Sequence, residues 1–156
     1  MILLVHMLFG AAIGSTVDNA PLAIILAFLG HYFLDLFPHI EYIDGVERSI
    51  ESLKNDTWGK KIKNMLKVFT DFCIGLLLIF LLSKNQPIIY LCALIAIVPD
   101  GLTIIHALFP RLGLALHHHI HGTKIHYLTK QKKISTFWKI LTQAIAVIAS
   151  IILLRI

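Results

Sequence analysis

Long apolar runs dominate this sequence, and they restrict the available folds more than any other feature. Five runs lie at about 2–17, 21–37, 68–82, 87–109 and 137–154. Of the 156 residues, 57% are hydrophobic and only 15% are charged, with a mean hydropathy of +0.79. Soluble domains are far less apolar, and runs approaching 20 apolar residues match the thickness of a bilayer. We therefore predict an all-α, polytopic integral membrane bundle of about five transmembrane helices, forming one domain over 1–156.

Two polar segments, 41–67 and 110–136, interrupt the apolar runs and define the topology. The spacing of apolar residues in 41–67 predicts an amphipathic helix on the membrane surface, interrupted near Asn55-Asp56. With five spans, both segments lie on the same side of the membrane. Together they carry eleven basic residues, whereas the other side carries two, Lys84 and Arg155. The positive-inside rule then predicts a multi-pass protein of the cytoplasmic (inner) membrane with a cytoplasmic N-terminus.

The charge and the cysteines exclude other classes of protein. The net charge is +5, but the basic residues flank apolar runs and are better explained by topology and anionic lipid than by nucleic acid. We therefore expect the membrane as a partner and no nucleic acid. Cys73 and Cys92 lie inside apolar runs without C-x-x-C spacing, so we predict core residues and neither a disulfide framework nor a cysteine-rich zinc site.

The second apolar run carries ionisable residues with a spacing typical of a ligand pair. On a helix, His31 and Asp35 are neighbours on one face, and His39 follows where that face leaves the helix at Pro38. Imidazole and carboxylate together suit zinc and similar divalent ions. The alternative is a buried histidine that bonds to the aspartate and serves packing alone.

The predicted topology brings further ionisable residues to the same depth. His6 lies near the start of the first run, and Asp100 lies in the last part of the fourth, so both fall in the cytoplasmic half with His31 and Asp35. Charged groups inside a membrane are costly and face a cavity or a partner, which favours one shared polar site. Pro99 and Gly101 flank Asp100 and predict a kinked or opened helix that aims Asp100 into a cavity; a simple kink is the alternative.

A histidine-rich stretch follows in the segment 110–136. On a helix His117 and His121 share a face, as do His118 and His121, whereas His119 points away. A solvated loop is the alternative for this stretch. We predict His118 and His121 as site residues, followed by His117, and we assign His106 to packing.

Taken together, these motifs resemble the family of membrane-bound metal-dependent hydrolases, which includes the LexA-binding, inner-membrane-associated hydrolase. The resemblance rests on an early His6, Gly30-His31 with Asp35, Pro38 and His39, the pair Pro99-Asp100, and the spacing of His121 and His126. It implies a metal site and, through the family's activity, hydrolysis. Leu102 stands where many members have a second aspartate, so a second metal ion is not implied.

We therefore predict a membrane-embedded, zinc-dependent or similar divalent-metal hydrolase. An amphipathic substrate such as a phospholipid or an isoprenoid phosphate suits a cavity in the cytoplasmic leaflet. The predicted metal ligands are His6, His31, Asp35, Asp100 and His117, and the predicted acid/base residues are His39, His118 and His121. Two alternatives remain: a divalent-metal transporter or metal sensor that uses the same ligands, and a membrane scaffold without catalysis.

Overall fold

The computed structural model of this protein describes residues 1–40, 57–126 and 134–156, and all regular structure in those ranges is helical. The prediction of an all-α fold is thus confirmed for the described residues. The α-helices are α1 (Leu3–Thr16), α2 (Ala20–Asp35), α3 (Trp58–Leu82), α4 (Pro87–Ile95), α5 (Val98–Leu108), α6 (Ala115–His119) and α7 (Thr136–Arg155). A 3-10 turn, Pro110–Leu112, precedes α6, and a π-helical turn, Ile120–Ile125, follows it.

Helix α1 lies at the centre of the bundle and packs against α2, α3, α4 and α7. Its buried residues lie on all sides of the helix, which is typical of an element that neighbours surround completely. Gly10 and Gly14 allow α4 to approach closely. A Cβ added at Gly10 would lie 2.5 Å from the carbonyl oxygen of Cys92, and one at Gly14 would lie 3.0 Å from that of Ile88. The small-residue face is therefore a packing surface.

Contacts between distant residues distinguish the two ends of the bundle. At one end, Ser15 Oγ donates to the carbonyl of Leu153 and Lys84 Nζ donates to that of Ile156, over 3.3 and 2.9 Å. At the other end, Gln143 Nε2 donates to the carbonyl of Ile40 over 2.9 Å. We call the first of these the far end. We call the second the site end, because the ionisable residues of α1 and α2 lie at it.

Three helical stretches are long and apolar enough to cross a membrane: Trp58–Leu82, Pro87–His106 and Thr136–Arg155. Helices α1 and α2 are apolar but shorter. Outer helices α3 and α7 leave large apolar side chains such as Leu77, Phe80 and Ile148 more than half exposed. Exposed apolar surface on this scale is typical of helices that face lipid, so the architecture fits membrane association.

The structure corrects several details of the sequence prediction. Helix α3 begins at Trp58, so residues 58–67, predicted within a separate interfacial segment, continue directly into the third apolar run. Residues 41–56, with the expected interruption near Asn55-Asp56, lie outside the described residues. Cys92 is buried as predicted, but Cys73 is exposed, so its prediction as a core residue is wrong. Position 73 is on the outer face of a peripheral helix, where lipid can cover an apolar side chain.

Candidate metal centre

The last turns of α2 supply the first two candidate ligands. His31 and Asp35 are four residues apart, and the helix places the Nε2 atom of His31 3.2 Å from the Oδ2 atom of Asp35. Both side chains are completely buried. A buried carboxylate requires compensating positive charge or hydrogen bonds, because isolated charges are very costly away from water.

A helix break supplies the next contacts. Pro99 has no N–H group, and the fourth apolar run separates into α4 and α5 around Ala96 and Ile97, as the sequence predicts. The carbonyl of Ala96 accepts a hydrogen bond from His31 Nδ1 over 2.7 Å. Asp100, in the first turn of α5, has Oδ1 3.6 Å from His31 Nε2, and its side chain is 33% exposed. The break therefore positions one histidine and opens the cluster to solvent at Asp100.

The π-helical turn brings two more histidines to Asp35. His121 and His126 are five residues apart, a separation of about 140° around an α-helix. The wider π turn, in which His126 N–H donates to the His121 carbonyl, places both rings on one side, 4.8 Å apart. The Nε2 atoms of His121 and His126 each lie 3.2 Å from Asp35 Oδ2.

The hydrogen bonds of the Nδ1 atoms fix the protonation of two of these rings. His31 Nδ1 donates to a carbonyl, and His121 Nδ1 donates to Thr103 Oγ1 over 3.1 Å, because the Thr103 hydroxyl donates its own proton to the Pro99 carbonyl. Burial lowers the pKa of His121 below its usual value, although the hydrogen bond with Asp35 opposes this. In a neutral ring of this tautomer Nε2 carries a lone pair, and the Nε2 atom of His121 can donate to Asp35 Oδ2, 3.2 Å away, only when the ring is doubly protonated.

These lone pairs face each other across a short distance. The Nε2 atoms of His31 and His121 are 3.0 Å apart, beside the Asp35 carboxylate. Three electron-rich atoms at such distances repel one another unless a cation, either a proton or a metal ion, lies among them. Nδ1–H groups that donate to backbone or hydroxyl oxygens are also the usual second shell of metal-binding histidines.

The spacing of the donors fits a small divalent ion. One ligand group comprises His31, Asp35, Asp100 and His121, whose donor atoms all lie within 4.8 Å of one another. Bonds of 2.0–2.1 Å in a tetrahedral site place donor atoms about 3.3–3.4 Å apart. The donor separations of 3.0, 3.2 and 3.6 Å around His31 Nε2 lie close to that value. The group could therefore hold a metal ion with little rearrangement.

A second ligand group shares the same aspartate. Asp35, His39 and His126 also have donor atoms within 4.8 Å of one another, and all three are buried. The Nε2 atom of His39 lies 3.6 Å from Asp35 Oδ1, and its Nδ1 donates to the Phe37 carbonyl over 2.7 Å. His6 Nε2 and the amino group of Met1 approach the same Oδ1 atom, at 3.2 and 2.7 Å.

The structure brings together most, but not all, of the residues that the sequence predicts for the site. His6, His31, Asp35, His39, Asp100 and His121 lie in or directly beside the two groups. His117 lies beside them, and its ring stacks on His121 at 5.5 Å between centroids, as expected for residues that share a face. His118 instead packs near His106, at 5.0 Å between ring centroids, and His119 is exposed as predicted.

His117 lies outside both ligand groups for a chemical reason. Its Nε2 atom lies 3.1 Å from the Pro99 carbonyl, which only accepts, so this nitrogen carries the proton. Its Nδ1 atom then accepts from the Tyr32 hydroxyl over 3.2 Å. Both ring nitrogens are thus engaged, and neither offers a lone pair to an ion in this arrangement.

His126 is the residue that periodicity missed. Sequence reasoning assumed α-helical spacing, in which His121 and His126 point in different directions. The only signal for it was the H-x-x-x-x-H spacing within the resemblance to the metal-dependent hydrolases. A local π-helical turn, common at functional sites, makes that spacing effective.

No protein-family model, curated protein or solved structure matches the chain. A functional assignment therefore rests on the geometry of the two ligand groups.

Proposed function

We propose that the chain is a membrane-embedded, metal-dependent hydrolase that binds zinc or a similar divalent ion at the site end of the bundle. The observation that supports this proposal most directly is the opposition of the His31 and His121 lone pairs beside Asp35, since it calls for a cation. Mixed imidazole and carboxylate donors favour zinc among the common divalent ions. When bound, such an ion supplies Lewis acidity and lowers the pKa of coordinated water.

The exposure of the donors supports catalysis rather than purely structural binding. His31, Asp35 and His121 are completely buried, whereas Asp100 is 33% exposed. Structural metal sites are closed by protein ligands, while catalytic sites keep one position accessible. Asp100 therefore marks the side from which water and substrate reach the centre.

In this proposal, two of the roles predicted from the sequence are exchanged. His121, predicted as an acid/base residue, contributes its Nε2 to the ligand group, and His117, predicted as a ligand, keeps both nitrogens in hydrogen bonds. Tyr32 and His117 form a hydrogen-bonded pair next to His121. In the proposed enzyme this pair holds and moves the proton that hydrolysis requires, a role suited to an imidazole.

The surface of α3 near the site end supports an amphipathic, anionic substrate. It presents basic and apolar side chains next to one another, among them Lys63, Lys67, Ile62 and Leu66, together with the carboxylate of Asp71. Ammonium groups beside aliphatic surface suit a phosphate headgroup with a hydrocarbon tail. This favours a phospholipid or an isoprenoid phosphate, met at the cytoplasmic leaflet if five spans place the site there.

The far half of the core favours an enzyme over a transporter. Between the ligand groups and the far end, the buried residues are mainly apolar, including Leu8, Ala27 and Ile89. Ser150 is a buried polar side chain there, but its hydroxyl donates to the carbonyl of Ala146 in its own helix. An ion that crossed the membrane would need polar partners along this path, because unsolvated charge is costly there. The transporter alternative lacks such a path among the described residues.

The experiment measures metal content and hydrolysis on the same purified protein. We expect zinc to copurify in detergent, and a panel of phospholipids and prenyl phosphates to include a substrate whose cleavage stops on chelation. His31→Ala should lose metal and activity. His119→Ala, which changes an exposed histidine in the same stretch as the site, should lose neither.

A second pair of variants tests the acid/base assignment. His117→Ala should retain metal and lose about 10²–10⁴-fold in turnover, and His118→Ala should keep most of it. The opposite result would restore the role predicted for His118. Metal flux into proteoliposomes that depends on Asp100 would replace the hydrolase with a transporter.

A further inference from the structure

The two oxygen atoms of Asp35 face different sets of histidines. Oδ2 lies 3.2 Å from the Nε2 atoms of His31, His121 and His126. Oδ1 lies 3.2 Å from Nε2 of His6 and 3.6 Å from Nε2 of His39. His126 approaches Oδ2 but belongs to the ligand group of His39, so it lies between the two sets. A carboxylate with nitrogen donors around both oxygens has the arrangement of a bridging ligand.

The cluster contains more donors than a single ion uses. Five imidazole Nε2 atoms lie within 3.6 Å of Asp35, and Asp100 adds a second carboxylate. A zinc ion takes four ligands, and only three of them come from the protein in a catalytic site. The group of His31, Asp35, Asp100 and His121 already satisfies one ion, which leaves His6, His39 and His126 unexplained.

His6 provides an independent indication of a second ligand position. Its ring is completely buried, and neither nitrogen has a hydrogen-bond partner among the described residues. Leaving a buried polar nitrogen unsatisfied costs about 1–3 kcal/mol. Nε2 lies 3.2 Å from Asp35 Oδ1, the oxygen that His39 also approaches, but without the alignment of a hydrogen bond. An ion next to Oδ1 would give this nitrogen a partner.

We infer that the cluster binds two divalent metal ions bridged by the carboxylate of Asp35. The first ion lies among His31, Asp35, Asp100 and His121, and the second lies among Asp35, His39 and His126, with His6 beside it. This inference rests on the metal binding proposed above, and it adds a second ion that the family resemblance did not imply because of Leu102. Paired ions about 3.5–4 Å apart clamp both oxygens of an in-line displacement at phosphorus, which suits a phosphate ester substrate.

The two ligand groups differ in their negative charge. The first group contains two carboxylates, Asp35 and Asp100, whereas the second contains only Asp35. A divalent cation is attracted more strongly by two carboxylates than by one. We therefore expect the second ion to bind more weakly than the first.

Metal titration of the stripped, full-length protein in detergent tests the inference. Zinc added to the wild type should bind in two steps that sum to two ions per chain. The double variant His39→Ala/His126→Ala should bind one ion, and His119→Ala should bind two. One ion in the wild type, unchanged in the double variant, overturns the second site but leaves the proposed hydrolase intact. No bound metal in the wild type overturns both.

A spectroscopic measurement on the wild type keeps the test independent of how well the variants fold. X-ray absorption of the protein loaded with two equivalents of zinc should show metal–metal scattering at about 3.5–4 Å, as expected for ions that share a carboxylate. The same sample loaded with one equivalent should lack it. Two bound ions without this feature would mean separate sites and would overturn the bridging role of Asp35.

Discussion

Helices α1 and α2 pack together along their length, yet their two halves bury different chemistry. Toward the far end these helices bury small and aliphatic residues, represented by Ala11, Ala12, Ala23 and Ala27, with Gly10 and Gly14 against α4. Toward the site end the same helices bury His6, His31 and Asp35. The first half gains van der Waals contact from close approach, while the second half bears the cost of buried polar groups.

Helix packing in the far half and metal binding at the site end can therefore be tested separately. If close packing in the far half stabilises the fold, the ligands at the site end can be changed with loss of metal but not of structure. If instead the polar cluster holds the helices together, both properties will fail at once.

The largest effect is expected from Asp35→Asn, because Asp35 belongs to both ligand groups. The amide keeps the shape of the side chain but removes its charge, and the histidines lose their common anionic partner. We expect no bound metal by elemental analysis, together with unchanged helical content by circular dichroism. An unfolded variant would show that the polar cluster stabilises the bundle, and a variant with its full metal content would remove Asp35 from the site.

The converse effect is expected from Gly14→Val, in the far half. Even a Cβ at this position would lie 3.0 Å from the Ile88 carbonyl oxygen and from Cys92 Cβ, so the larger valine side chain must push α1 and α4 apart. Overpacking of this kind costs about 3 kcal/mol at the upper end of its usual range. Thermal unfolding in detergent should show the loss, while the folded fraction keeps its metal.

Gly59→Val is the matched control, since no atom of the described residues lies within 4 Å of a Cβ at that position. Equal stability of the two variants would mean that the close approach of α1 and α4 contributes nothing measurable. In that case the site end would be the part that holds the bundle together.

Much of the difference between the two halves could be predicted from the sequence. Apolar runs predicted the helices, and the fourfold spacing of His31 and Asp35 predicted their shared face. The break at Pro99 was predicted because proline removes a backbone donor, and the structure shows the freed region bonding to His31 and His117. Each of these inferences depends on local geometry, which the order of residues largely determines.

Other features could not be predicted because they depend on nonlocal or irregular geometry. The π-helical turn that brings His121 and His126 together departs from the α-helical period, and the residue types in Ile120–Ile125 do not predict it. The role of His117 depends on two partners from other helices, Tyr32 and Pro99. Which of several histidines points inward is decided by such tertiary contacts, so the sequence located the cluster better than it assigned its members.

A smaller effect is expected from Thr103→Val, which removes the hydroxyl that accepts from His121 Nδ1. Loss of a second-shell acceptor typically lowers metal affinity about 10–100-fold, because the ring loses its fixed orientation and tautomer. Competition with a chelator should show this weaker binding, with little change in unfolding temperature. Thr16→Val, at the far end, should leave affinity unchanged, and equal affinities for both variants would exclude Thr103 from the second shell.

The smallest effect is expected from Asp71→Ala. This variant tests whether a carboxylate at the site end can stabilise the fold without taking part in metal binding. Helix α1 begins without a side-chain cap of its own, and Asp71 from α3 accepts the N–H of Leu4 over 2.7 Å. A carboxylate at a helix N-terminus satisfies an orphan donor and favours the helix dipole, and its removal costs about 1 kcal/mol. We therefore expect a slightly lower unfolding temperature with full metal content, whereas Asp18→Ala, at an exposed position of the far end, should change neither. Metal loss in Asp71→Ala would place this carboxylate in the centre and extend the polar region from α2 across α1 to α3.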